Sequence, residues 1–212
     1  MTVPAVAALG LAGVIAAADW WAVGTGRKRL EYVFKPATML ALIACALLLH
    51  PVAAGERAWF VLALCLGAAG DVLLMLPTDR FVAGLGAFLL GHLAFASGFV
   101  AGGQSAGRVA AVAVVLAILA ALLLPPVVRG ARRQGQSRVV PALLAYLLVI
   151  GVMVATAFGS RQPLAVVPAM LFFGSDSLIA LRRFVSPRPW MSLAVIVSYH
   201  LAQAGLVLWL TL

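Results

Sequence analysis

The chain has 212 residues, 65% of them hydrophobic and 10% charged, and a net charge of +9, with a mean hydropathy of +1.13. A soluble domain carries roughly a quarter charged residues and under about half apolar ones, so a soluble domain, a disordered chain and a disulfide scaffold are excluded. The basic residues fall between long apolar runs, where the positive-inside rule places them, and the charge therefore does not indicate nucleic acid.

Apolar runs of membrane-spanning length predict eight transmembrane helices in one all-α integral membrane domain, 1–212, because lipid leaves no other way to satisfy the backbone. In chain order they fall at 3–23, 36–49, 58–76, 81–101, 109–128, 139–158, 162–181 and 190–212. The first has no Lys or Arg before it and is read as a retained span, not a signal peptide. The second opens on Pro36, a residue suited to a first helical turn. Cys45 and Cys65 lie inside runs, with no metal-type spacing, and read as small core residues. The joints between spans are short, such as Pro77-Thr78-Asp79-Arg80 and Ser160-Arg161-Gln162-Pro163.

Lys and Arg divide unevenly between alternate loops. Loops 24–35, 77–80, 129–138 and 182–189 hold twelve, and the remaining loops hold only Arg57, Arg108 and Arg161. That asymmetry predicts a plasma-membrane protein with the first set in the cytoplasm and both termini outside. The halves also echo each other. Pro36 precedes Asp71 by 35 residues, as Pro141 precedes Asp176, and His92-Leu93-Ala94 matches His200-Leu201-Ala202. A parallel four-plus-four repeat, 1–105 and 106–212, is the expectation, with a site between the halves.

A carboxylate inside the bilayer costs about 2.5–3.5 kcal/mol even on insertion scales, so it is rarely there without cause. Asp19, Asp71 and Asp176 lie within spans, while Glu31, Glu56 and Asp79 lie in loops. At 1.5 Å per residue, Asp71 and Asp176 sit roughly 8 Å from the cytoplasmic ends of their helices, and His92 and His200 roughly 15 Å. Lys35, Tyr146 and Tyr199 fall in the same half, so the polar residues converge on one chamber open to the cytoplasmic leaflet. Asp19 is read as snorkelling to the interface four residues away, and His50, before Pro51, as interfacial. Lys35 serves equally as a positive-inside anchor, and His200 as a core histidine. A glycine lies one or two residues before each of Asp71 and Asp176, allowing close backbone approach.

Two carboxyls in one low-dielectric chamber are not both comfortably ionised, so one is expected to keep a proton. That suits a hydrolase needing a proton donor and an activated water, and equally a small proton-coupled transporter using Asp71 and Asp176. No serine elbow, zinc-binding His-Glu helix or Gly-rich phosphate loop is present.

At these residues the chain resembles the lysoplasmalogenase, or YhhN-like, membrane family. The matching pieces are Lys35-Pro36, Gly70-Asp71-x-Leu73, Phe81-x-x-Gly84-x-x-x-Phe88-x-x-Gly91-His92, Phe173-Gly174-Ser175-Asp176 and Tyr199-x-x-x-Gln203. The sequence departs from it at Phe95, where an aromatic hydroxyl is expected, and at His200, where a second tyrosine is common. The resemblance implies hydrolysis of the vinyl ether bond of lysoplasmalogens to a fatty aldehyde and a glycerophospho-head group. It implies one of Asp71 and Asp176 as general acid, the other stabilising the cation and activating water, with His92 orienting or relaying protons. Tyr146, Tyr199 and Gln203 would hydrogen-bond the glycerol, Lys35 would meet the phosphate, and Ser175 and His200 would complete the substrate site. The implied partners are a lysophospholipid and membrane lipid, with no nucleic acid, metal or organic cofactor, and no oligomeric state is indicated.

Overall fold

The computed structural model describes residues 1–50, 54–160 and 162–212; Pro51 and the Arg161 of the charge count lie outside them. Among the described residues eight long helices follow one another: α1 (Val3–Gly24), α2 (Lys28–Leu48), α3 (Ala54–Met75), α4 (Phe81–Ala101), α5 (Ala106–Arg133), α6 (Val140–Gly159), α7 (Val166–Phe184) and α8 (Met191–Trp209). Seven of them are long and apolar enough to cross a membrane. The exception, α7, is 19 residues long but carries Asp176, Arg182 and Arg183.

Local sequence explains the helix ends. Thr2 caps α1 by accepting the Ala5 N–H at 3.1 Å, and Pro141 occupies the first turn of α6, where its missing N–H costs nothing. Pro36 corrects the expectation for the second span. It stands inside α2, which begins eight residues earlier at Lys28. The turns carrying Lys28, Arg29, Glu31 and Lys35 look like a loop by hydropathy, yet helix propensity and the Lys28–Glu31 pair at 2.7 Å carry the helix through them. Lys35 is thereby a helical residue near the membrane edge.

α1, α2, α3, α4, α6, α7 and α8 each pack on the next, and α8 closes the circle on α1, while α5 lies outside against α6 and α7. The order follows from short joints that force neighbours antiparallel, except where α5 is displaced and α4 meets α6 directly. The α3–α4 contact is the most extensive. A Cβ at Gly91 would come within 3.3 Å of the Ala63 carbonyl, and one at Gly70 within 2.6 Å of the Phe88 ring, so both glycines let the helices touch. Gly174 has open space instead, and the close approach expected there is absent. Cys45 is buried as expected and its Sγ–H meets the Ala5 carbonyl at 3.3 Å; Cys65 faces outward.

Candidate active site

Two carboxylate centres lie within the ring, each with its own partners. In the first, Asp71 on α3 is buried. Lys35 Nζ from α2 pairs with its Oδ1 at 2.7 Å, and the Tyr199 hydroxyl from α8 donates to its Oδ2 at 2.7 Å. The Tyr199 hydroxyl also approaches Met39 Sδ at 3.3 Å, and Lys35 Nζ stands 5.5 Å from the Tyr199 ring centre. Gly67 makes room for this group: a Cβ there would lie 3.1 Å from Gln203 Nε2 and 3.4 Å from the Tyr199 hydroxyl. Gln203 is thus placed beside Tyr199, one helical turn on.

In the second centre, Asp176 on α7 accepts the Tyr146 hydroxyl from α6 on Oδ2 at 2.5 Å. His92 Nε2 from α4 lies 3.1 Å from the same oxygen and 2.9 Å from the Tyr146 oxygen. Tyr146 has one hydrogen and uses it on Asp176, so the His92 contact to the phenol requires a proton on Nε2. Nδ1 of His92 is buried with no partner among the described residues.

Aromatic rings separate the centres. Phe172 lies edge-on to His92 at 4.7 Å and to Tyr199 at 5.4 Å, and Phe88 edge-on to Tyr199 at 5.9 Å. The anticipated single chamber is therefore resolved as two polar clusters across an aromatic layer. Sequence reading did not single out Phe172, because one aromatic in an apolar span gives no signal of its own.

Two remaining site residues point elsewhere. Ser175 donates to the Val195 carbonyl at 3.1 Å and ties α7 to α8. His200 turns toward α1, where its Nδ1 accepts the Trp20 indole N–H at 3.1 Å. Its Nε2 therefore holds the proton and faces Asp19 Oδ2 at 4.0 Å. Asp19 does not snorkel: it is fully buried, because α1 is covered on this face by α2 and α8. Neither of its carboxylate oxygens accepts a hydrogen bond among the described residues.

Two clefts adjoin the centres. A narrow apolar one is walled by Leu85, Phe88, Leu123, Leu147 and Phe173, with Asp176, Tyr146 and Ser177 as its polar members. A second, wider cleft of about 430 Å³ is lined by Lys28, Glu31, Lys35, Asp79, Arg182 and Arg183, among others. Leu74, Phe81 and Ile179 border both. Asp176 lines the apolar cleft directly, whereas Asp71 reaches the polar one through Lys35. An apolar cleft lined by a carboxyl, sharing three wall residues with a cationic cleft, is an arrangement suited to a lipid with one chain and an anionic head. Among the described residues no group of three or more potential ligands could hold a metal ion.

The model of the YhhN family matches residues 30–210. The chain belongs to the YhhN family. It is 37% identical over 187 residues to proteins named lysoplasmalogenase from Mycobacterium bovis and Mycobacterium tuberculosis, covering 84% of this chain and 69% of each relative. No solved structure matches it. The YhhN match begins in α2, just before Lys35, and runs through α8, so both carboxylate centres fall inside it and Asp19 falls outside.

Proposed function

We propose that this membrane protein hydrolyses the vinyl ether bond of lysoplasmalogens, releasing a fatty aldehyde and a glycerophospho-head group. Its YhhN membership and its identity to two lysoplasmalogenases favour this hydrolase over a proton-coupled transporter. The structural observation that carries the reading is Asp176, bonded to Tyr146 and His92 and lining the apolar cleft beside the cationic one.

In this reading the chain enters the apolar cleft and the head group lies in the polar one, which brings the vinyl ether to Asp176. The carboxyl of Asp176 gives its proton to the alkenyl carbon one bond removed from the ether carbon. The C=C electron pair forms the new C–H bond, and the positive charge is shared between the ether carbon and oxygen. The carboxylate left behind stabilises that oxocarbenium ion and takes a proton from the water that adds to it. The hemiacetal then collapses, its hydroxyl proton passing to the departing glycerol oxygen. No net proton is consumed, and one carboxyl can serve both proton steps, as in glycosidases that switch acid to base.

Tyr146 and His92 fix the Asp176 carboxyl, both on Oδ2, so Oδ1 is the oxygen free for the substrate. Asp71 and Tyr199 hold Lys35 at the floor of the polar cleft, where its ammonium meets the head-group end, and Gln203 lies beside Tyr199. Charge distribution supports a reading in which this cleft lies in the cytoplasmic leaflet of the cell membrane, with both termini outside. The test is aldehyde release by the purified protein from a lysoplasmalogen and from its saturated alkyl analogue. Aldehyde from the first alone is expected; none from either overturns the proposal.

A further inference from the structure

Five cationic side chains, Lys28, Lys35, Arg80, Arg182 and Arg183, line the polar cleft against two carboxylates, Glu31 and Asp79. Several are already engaged: Lys28 by Glu31 at 2.7 Å, Lys35 by Asp71 at 2.7 Å, and Arg182 Nη1 by the Ser192 hydroxyl at 2.6 Å. Arg183 differs. Its Nη2 donates to Asp79 at 2.9 Å, while its Nε–H is buried with no acceptor among the described residues. An unsatisfied guanidinium donor is costly and calls for an acceptor that arrives with a ligand.

The guanidinium is also held in a defined plane. It lies over the Phe81 ring at 4.1 Å, and Phe81 is one of three residues shared by the two clefts. Asp79, which grips its other edge, sits in a loop conformation with φ of 21°, uncommon for a residue with a side chain. Stacking below and the carboxylate at one side leave Nε–H, itself buried, as the donor of the planar fork that lacks an acceptor among the described residues, and such a fork suits a phosphate oxygen.

We propose that Arg183 binds the phosphate of a single-chain phospholipid, seated on Phe81 where the polar cleft meets the apolar one. This rests on the reading that the two clefts take head and chain. The phosphate oxygen accepts from Nε while Nη2 stays on Asp79, so the glycerol lies across Phe81 with the chain directed to Asp176. Arg183 is a substrate-binding residue here, and Asp79 and Phe81 position it.

The test is equilibrium binding to the full-length protein in detergent, with three probes. They are a saturated 1-alkyl lysophospholipid, which cannot be protonated at carbon, the 1-alkylglycerol of the same chain length, and inorganic phosphate. The wild type should bind the lysophospholipid at least tenfold more tightly than the alkylglycerol, and Arg183→Gln should abolish that ratio while alkylglycerol affinity stays within twofold. Inorganic phosphate should compete only at concentrations far above the lipid's. A ratio kept in Arg183→Gln, or absent from the wild type, overturns the proposal. Competition by inorganic phosphate at the lipid's own concentration assigns the site to free phosphate and also overturns it. Should Arg183→Gln not fold, Arg183→Lys keeps the charge and loses the fork, and the ratio should fall at least threefold; an unchanged ratio is contrary. Because these probes are not hydrolysed, an Arg183-dependent ratio in a protein that releases no aldehyde would refute the reaction and leave this site standing.

Discussion

Around Asp71 the partners are Lys35 from α2 and Tyr199 from α8; around Asp176 they are Tyr146 from α6 and His92 from α4. Each carboxylate sits on the third helix of its half and is held by the second helix of that half and the fourth helix of the other. We propose that this exchange reflects a four-plus-four repeat; the parallel packing of α2 on α8 and α6 on α4 supports it. The occupants of equivalent places differ in kind. A lysine pairs with Asp71, whereas a phenol and an imidazole bond Asp176 beside an apolar cleft. On this proposal the frame holds a structural ion pair in one half and the reactive carboxyl in the other.

That contrast breaks first at Asp176. Asp176→Asn keeps the shape and the Tyr146 contact but has no proton to give, and turnover should fall by about 10²–10⁴-fold, the usual worth of general acid–base catalysis. Thermal unfolding in the same detergent should stay near the wild type. Asp71→Asn should act chiefly on stability. It strands the Lys35 ammonium, a loss of about 3–5 kcal/mol for a broken buried pair, and the double variant Asp71→Asn/Lys35→Met should recover part of it. Equal unfolding temperatures for the single and double variants would deny that the pair is structural.

The phenols sharpen the comparison. Tyr146→Phe should lower kcat by about tenfold or more in the folded protein, beyond the stability lost with its hydrogen bond to Asp176. Tyr199→Phe should cost about 1.5–3 kcal/mol of stability, the range for a hydrogen bond to a charged group, and change kcat less. The reverse ranking would exchange the roles of the two centres.

The smallest effect belongs to Asp79. The hydrogen bond and charge of Arg183 hold its carboxyl below the usual carboxylate range. A depressed folded-state value means the stabilisation is complete above the ordinary carboxylate value and is lost as pH falls through the lowered one. The pair is exposed and screened. Lysolipid binding should therefore be flat from neutral pH down to about 5 and weaken only in stronger acid, while Asp79→Asn should show no such acid limb.

The long apolar runs were legible because the bilayer demands them, and α4 coincides with its anticipated span, 81–101. The start of α2 was not, since charged residues that end a hydropathy window do not end a helix. Asp71, Asp176, His92, Tyr146 and Tyr199 were legible as polar residues that a membrane interior does not tolerate idly. Their division into two centres was hidden, because distance along a helix fixes depth and leaves the azimuth open. Asp19 was misjudged for the same reason: four residues from the interface is near enough to snorkel only if the face is free. Arg183 was absorbed into the positive-inside count, and only its stacking on Phe81 and its idle Nε–H separate it from other cationic residues at that edge.

The most direct test of the central claim is aldehyde release from one lysoplasmalogen by wild type, Asp71→Asn and Asp176→Asn, each normalised to folded protein. Asp176→Asn should be at least about a hundredfold slower than the wild type, and folded Asp71→Asn should retain measurable turnover. Wild-type turnover by folded Asp176→Asn would contradict the claim.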